Sequence, residues 1–263
     1  MTFLKIPDNY RYIISSVSGI MVSLFIVSII FNISKSANEF DFDRGFVSEN
    51  NSHDTFTDIV DIDSLTKYAN IDIQVGATSL KVTSNGDDIG LVQADAKTIV
   101  INNNSSEDSL QNADISIGPN KESVFKENHS KKTSTVTTVK LNKLPIYNID
   151  IKSGISNVDL DFKELKVKTL NLQSGATSIK LRFGDLVDTT WIKINSGFSR
   201  IAIQFPRESM AFVEAESALS ANKLVNFKDL HNGKYEFRPD NFSGKVVMIE
   251  FEGALSSFQI TNY

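Results

Sequence analysis

The sequence contains no cysteine, which excludes a disulfide framework, a thiolate metal site, a cysteine nucleophile and a lipidated cysteine anchor. Histidine is almost as scarce. The three copies, His53, His129 and His231, sit among polar turn-forming residues, and no two are paired at i, i+4. No metal and no cofactor are expected from that distribution. A basic excess is also missing: 27 Lys and Arg against 32 Asp and Glu give a formal net charge of -5. With the cations scattered along the chain, the positive footprint of a nucleic-acid binder is excluded. There is no Gly-x-Ser-x-Gly elbow and no Gly-rich phosphate loop, so no catalytic residue is assigned and the chain reads as a non-enzyme. A glycosidase pair would need two facing carboxylates. Asp72, Asp150, Asp159 and Asp161 alternate with apolar residues, which places them on outward strand faces, where a solvated role is the ordinary one.

What is present begins with a long apolar run. From Tyr12 to Ser34 no residue is charged, and at about 1.5 Å per residue such a helix crosses a hydrocarbon core of about 30 Å. Lys5 and Arg11 precede it, and acidic residues Glu39, Asp41 and Asp43 follow soon after Lys35. The positive-inside rule then predicts a cytoplasmic N-terminus and an external C-terminal domain. The run is longer than a signal-peptide core, and Ser34-Lys35-Ser36 is a poor cleavage site, so an uncleaved anchor is expected. The predicted organisation is a short cytoplasmic segment at 1–11, a single transmembrane helix at 12–34, a flexible acidic and Asn-rich linker at 35–60 and a repetitive domain at 61–263.

That domain repeats one pattern: alternating apolar residues, a turn with glycine and a small or hydroxyl residue, then alternation again. It reads Ile71-Asp72-Ile73-Gln74-Val75-Gly76-Ala77-Thr78-Ser79-Leu80-Lys81-Val82 in the first copy. Copies two to four centre on Gly154, Gly175 and Gly197 and begin at 149, 170 and 192, a spacing of 21 to 22 residues. A degenerate fifth copy begins at Ile249, with its glycine, Gly253, shifted one place. A period of two dictates strands, and a fixed spacing of this length is that of one rung in a stacked β architecture. The five glycines are predicted to bend the strand at a backbone position suited to positive φ. Between copies one and two, strands are expected at Thr98–Ile101, Ala113–Ile117 and Ser134–Leu141, with a polar hairpin tip over Gly118–Lys132. Between copies four and five, strands are expected at Ala211–Ala215 and Lys234–Phe237, with a short one at Val225–Phe227. Eighteen phenylalanines supply ample core. The single tryptophan, Trp191, directly precedes the fourth copy. It either marks a contact surface or packs beneath a neighbouring loop.

The order of anchor, Gly-Ala-Thr turn, polar hairpin and Lys143-Leu144-Pro145 leading into the following repeats resembles the bacterial toast-rack domain over residues 65–263. That domain occurs in LiaF-like cell-envelope stress proteins and in adhesin-like proteins. The resemblance implies an all-β fold with one stacked β-solenoid, an extracytoplasmic location and roles in sensing or interaction. LiaF-like members are associated with inhibition of a sensor kinase and carry several membrane helices. This chain shows one such segment, a departure that leaves that role open. The function expected is a membrane-anchored, non-catalytic interaction or sensing module of the cell envelope, partnered by another envelope or membrane protein. The alternative is an adhesin-like surface protein that binds wall polymer.

Overall fold

Alternation at a period of two leaves a chain one economical way to hide its apolar half, which is to face extended strands across a shared core. A computed structural model of the protein describes residues 57–61, 65–76, 79–85, 90–95, 99–106, 111–119, 136–154, 156–175, 177–224 and 226–263, and every regular element among them is a strand. The expected anchor, the linker before Thr57, His53, His129 and the tract 120–135 lie outside the described residues. No helix among the described residues is long and apolar enough to cross a membrane.

In chain order the strands are β1 (Thr57–Asp61), β2 (Tyr68–Val75), β3 (Ser79–Ser84), β4 (Gly90–Asp95), β5 (Ile99–Asn103) and β6 (Asn112–Pro119). Next come β7 (Val136–Leu141), β8 (Ile146–Ser153), β9 (Ser156–Phe162), β10 (Lys166–Ser174) and β11 (Thr177–Phe183). The last are β12 (Thr189–Phe205), β13 (Met210–Leu224), β14 (Lys228–Asp229), β15 (Lys234–Phe237) and β16 (Val246–Asn262).

Parallel pairing assembles these into seven two-sided rungs among the described residues. From one end they are β6/β7, β2/β3, β8/β9, β10/β11, β12, β16 and β13. In β2/β3, β8/β9 and β10/β11 the two strands meet at a bend, in β6/β7 residues 120–135 stand between them, and in the last three rungs a single long strand passes through. The first halves make one parallel sheet and the second halves another, here called sheets 1 and 2. Antiparallel strands close the ends: β5 on β6, β4 and then β1 on β7, and β15 with β14 on the first half of β13.

The register stacks like on like. Ile115, Ile71, Ile149, Leu170, Ile192, Ile249 and Val213 form one inward column of sheet 1. Val139, Val82, Leu160, Leu181, Ile203 and Ile260 form its counterpart in sheet 2. All thirteen are buried, and full burial of each such side chain stabilises by about 1.5–3 kcal/mol relative to exposure. Slipping one rung by a residue would turn its whole column into water, so the register is strongly fixed. Phenylalanines continue the core, with Phe162 5.7 Å from Phe183, and Phe205 5.5 Å from Phe237 between ring centroids.

Several expectations change. The strands near Ala113 and Val136 are one complete rung, stacked on the outer side of the first copy. β4 was not anticipated, while β1 falls on the run from Asp58 with alternating acids, which reads as a strand edge. The segment Val225–Phe227 was expected as a strand; Asn226 instead adopts φ 65° and β14 begins at Lys228. The glycine expectation is corrected as well. Positive φ occurs at Gly233 and Gly244, while Gly76, Gly175 and Gly197 keep ordinary backbone. At Gly197 the reason for glycine is close stacking: a Cβ there would lie 3.0 Å from the Gly175 carbonyl oxygen, whereas one on Gly175 would make ordinary contact at 3.4 Å with that of Gly154, and one on Gly76 would meet nothing within 4 Å. The Gly197 N–H donates to the Gly175 carbonyl at 3.1 Å, and the Gly154 N–H donates to that of Val75 at 3.3 Å. Gly253 pairs with Ser196, one place before Gly197, which is the shift visible in the fifth copy.

Candidate interaction surface

The outward positions of sheet 1 form rows that run across the rungs, because parallel in-register pairing sets equivalent residues side by side. One row begins as a chain of hydrogen bonds. Thr169 Oγ1 donates to Asn148 Oδ1 at 2.8 Å, Asn148 Nδ2 to Asn70 Oδ1 at 2.9 Å, and Asn70 Nδ2 to Asp114 Oδ1 at 2.6 Å. The same row then changes character. Beyond Thr169 it continues through Trp191, Met248 and Phe212, one on each of the last three rungs. Trp191 is 53% exposed, and Met248 and Phe212 beside it are half-buried. In the preceding row Val246 and Met210 are paired neighbours and also half-buried. An apolar strip of Trp, Met and Phe therefore faces outward at one end of an otherwise polar sheet.

The next row holds Asp72, Asp150, Asn171, Lys193, Glu250 and Glu214. Its charges are tied. Asn171 Nδ2 donates to Asp150 Oδ1 at 2.8 Å, Gln74 Nε2 to Asp72 Oδ2 at 3.1 Å, and Lys193 pairs with Glu250 and Glu252. The hydrogen bond to Glu250 holds the Lys193 ammonium above its usual range. Of the acids considered for sugar cleavage, Asp72 and Asp150 lie on sheet 1 and Asp159 and Asp161 on sheet 2. The two pairs do not converge. Burial pushes the Asp159 carboxyl up, opposed by Lys81 and Lys180. His231 sits in a turn at φ 70°, its N–H donating to Asp229 Oδ1 at 2.7 Å. No group of three metal-ligating side chains occurs among the described residues.

Beside the bend, the third outward row lines a shallow open trough. Gln74, Lys152, Gln173 and Asn195 lie along one part of about 740 Å³, which Pro119 also borders. A second part of about 470 Å³ shares Ser174 and Asn195 and adds Ser196, Gly197 and Glu252. Asn195 Nδ2 donates to Glu252 Oε2 at 2.7 Å.

Met248 and Phe212 were missed from sequence because nothing in a linear reading joins positions 191, 212 and 248. The trough row was legible. In copies one to four its residue stands two places before the glycine, and only an alignment of the copies by that glycine exposes it.

The family model described as the N-terminal domain of toast_rack, DUF2154, matches residues 48–204, more than half of the chain. Among curated proteins none matches. The crystal structure of a candidate cell adhesion protein from Clostridium sporogenes is similar at a TM-score of 0.69 and 14% identity, covering 80% of this chain and 99% of that one. A candidate adhesin from Bacteroides fragilis, 11% identical over 80% of this chain and 98% of its own, superposes at a TM-score of only 0.33 and bears no weight. Matched by that family model over residues 48–204, more than half of its length, the chain belongs to the toast-rack family.

Proposed function

We propose that this protein is an adhesin-like, non-catalytic interaction module of the bacterial cell envelope, held outside the cytoplasm by the apolar segment at 12–34. The observation that carries this reading is the strip of Trp191, Met248 and Phe212. Trp, Met and aromatic side chains are the types enriched where one protein surface is covered by another body, and a large exposed Trp is the usual anchor of such a contact. The similarity of the fold to a candidate cell adhesion protein supports the same direction.

The test uses cells that carry the full-length chain with a C-terminal tag. The tag is expected to be removed by protease added outside, and the cells to be retained on purified cell-wall material. Trp191→Ala is expected to reduce retention about tenfold or more with no loss of surface protein. Protection of the tag, or equal retention of the variant, would overturn the reading.

A further inference from the structure

The trough at the bend presents one outward side chain from each of five successive rungs. In register these are Gln74, Lys152, Gln173, Asn195 and Glu252. Strands in a sheet lie about 4.8 Å apart, so the five span roughly 19 Å. That step is close to the length of one pyranose in an extended sugar chain. A polymer lying across the strands would therefore meet an equivalent polar group at each sugar.

The chemistry of the row selects the occupant. Three of the five are amides, which both donate and accept and so suit hydroxyl groups. The two charges cancel, and Glu252 is already engaged by Asn195 and Lys193. A row with no net charge offers no attraction to a polyanion or polycation. Lys152 and Gln173 make no side-chain hydrogen bond among the described residues and are exposed. Ser174 and Ser196, paired in register, follow the inward parity of sheet 1, so the outward side chains of the row are the groups that the trough offers. An extended peptide fits less well. Peptides add to free strand edges, whereas the trough crosses rungs whose strands are hydrogen-bonded to neighbours on both sides.

We infer that this trough binds a neutral, extended polysaccharide laid along the stack, one sugar per rung. The inference rests on the adhesin-like reading and specifies its ligand, at a place separate from Trp191. The experiment is calorimetric titration of the full-length chain in lipid nanodiscs with cellohexaose and chitohexaose. Polyglutamate and an uncharged decapeptide serve as contrasting probes. At least one hexaose is expected to bind, and the contrasting probes are not. Gln173→Ala is expected to weaken binding about fivefold, the effect of losing one hydrogen bond. Lys152→Ala is expected to weaken binding similarly while leaving the melting temperature unchanged, since its exposed side chain makes no hydrogen bond among the described residues. Failure of both hexaoses, tighter binding of the decapeptide or polyglutamate, or indifference to both substitutions would overturn the inference. If neither hexaose binds while cells still adhere through Trp191, the trough assignment alone falls. If a hexaose binds while Trp191→Ala leaves adhesion intact, the trough stands and the apolar strip does not.

Discussion

Tyr147 is fully buried, and its hydroxyl donates to the Asn142 carbonyl oxygen at 2.7 Å. Burial pushes the phenol above its ordinary value of 10.0. The unfolded chain then loses this proton at lower pH than the folded one, so the stability it contributes is present below pH 10 and is lost as pH rises past it. Tyr147→Phe is expected to cost about 1–2 kcal/mol at neutral pH through loss of this buried hydrogen bond, and to flatten the alkaline fall in stability. Denaturant titrations at neutral pH and above the phenol range check both. Glycines give a second contrast. A Cβ on Gly184 would overlap the Lys163 carbonyl oxygen, whereas one on Gly76 meets nothing within 4 Å. Gly184→Ala is expected to destabilise by about 1–3 kcal/mol and Gly76→Ala to be neutral or stabilising by up to about 1 kcal/mol. Thermal melts of the two variants would separate them. Gly184 drew no notice in the sequence because it stands outside the repeated motif, and its constraint is contact with a neighbouring turn, which periodicity does not encode.

At the scale of the rung, copies two to four were fully readable, because alternation, glycine and a spacing of 21 to 22 residues agree with one another. The rung made by β6 and β7 was not recognised as such, since its bend is replaced by a long polar insertion that hides the repeat. Its inward alternation is intact, and register alone restores it to the stack. The Thr169, Asn148, Asn70 and Asp114 chain shows how rungs are held in step on the wet face. Asn148 both donates and accepts there. Asn148→Ala is expected to cost about 1 kcal/mol, and Lys193→Ala less, because its ion pairs are exposed. Chemical denaturation of the two variants in parallel decides whether the ladder or the ion pairs contribute more to stability on the wet face.

Across the whole molecule, stacking order departs from chain order at both ends. β6/β7 lies outside β2/β3, and β16 lies between β12 and β13. No local signal announces this, because equivalent rungs present the same alternating face and each will accept any other as a neighbour. The antiparallel caps were equally hard to place from sequence, although their strands are ordinary ones. They matter because an uncovered strand edge invites pairing with other chains. The place of β16 also carries a consequence in time. A ribosome releases β13 some twenty residues before the strand that must sit beneath it. The last two rungs therefore cannot settle onto β12 until β16 has been made, so β13 stays without its parallel neighbour for that interval.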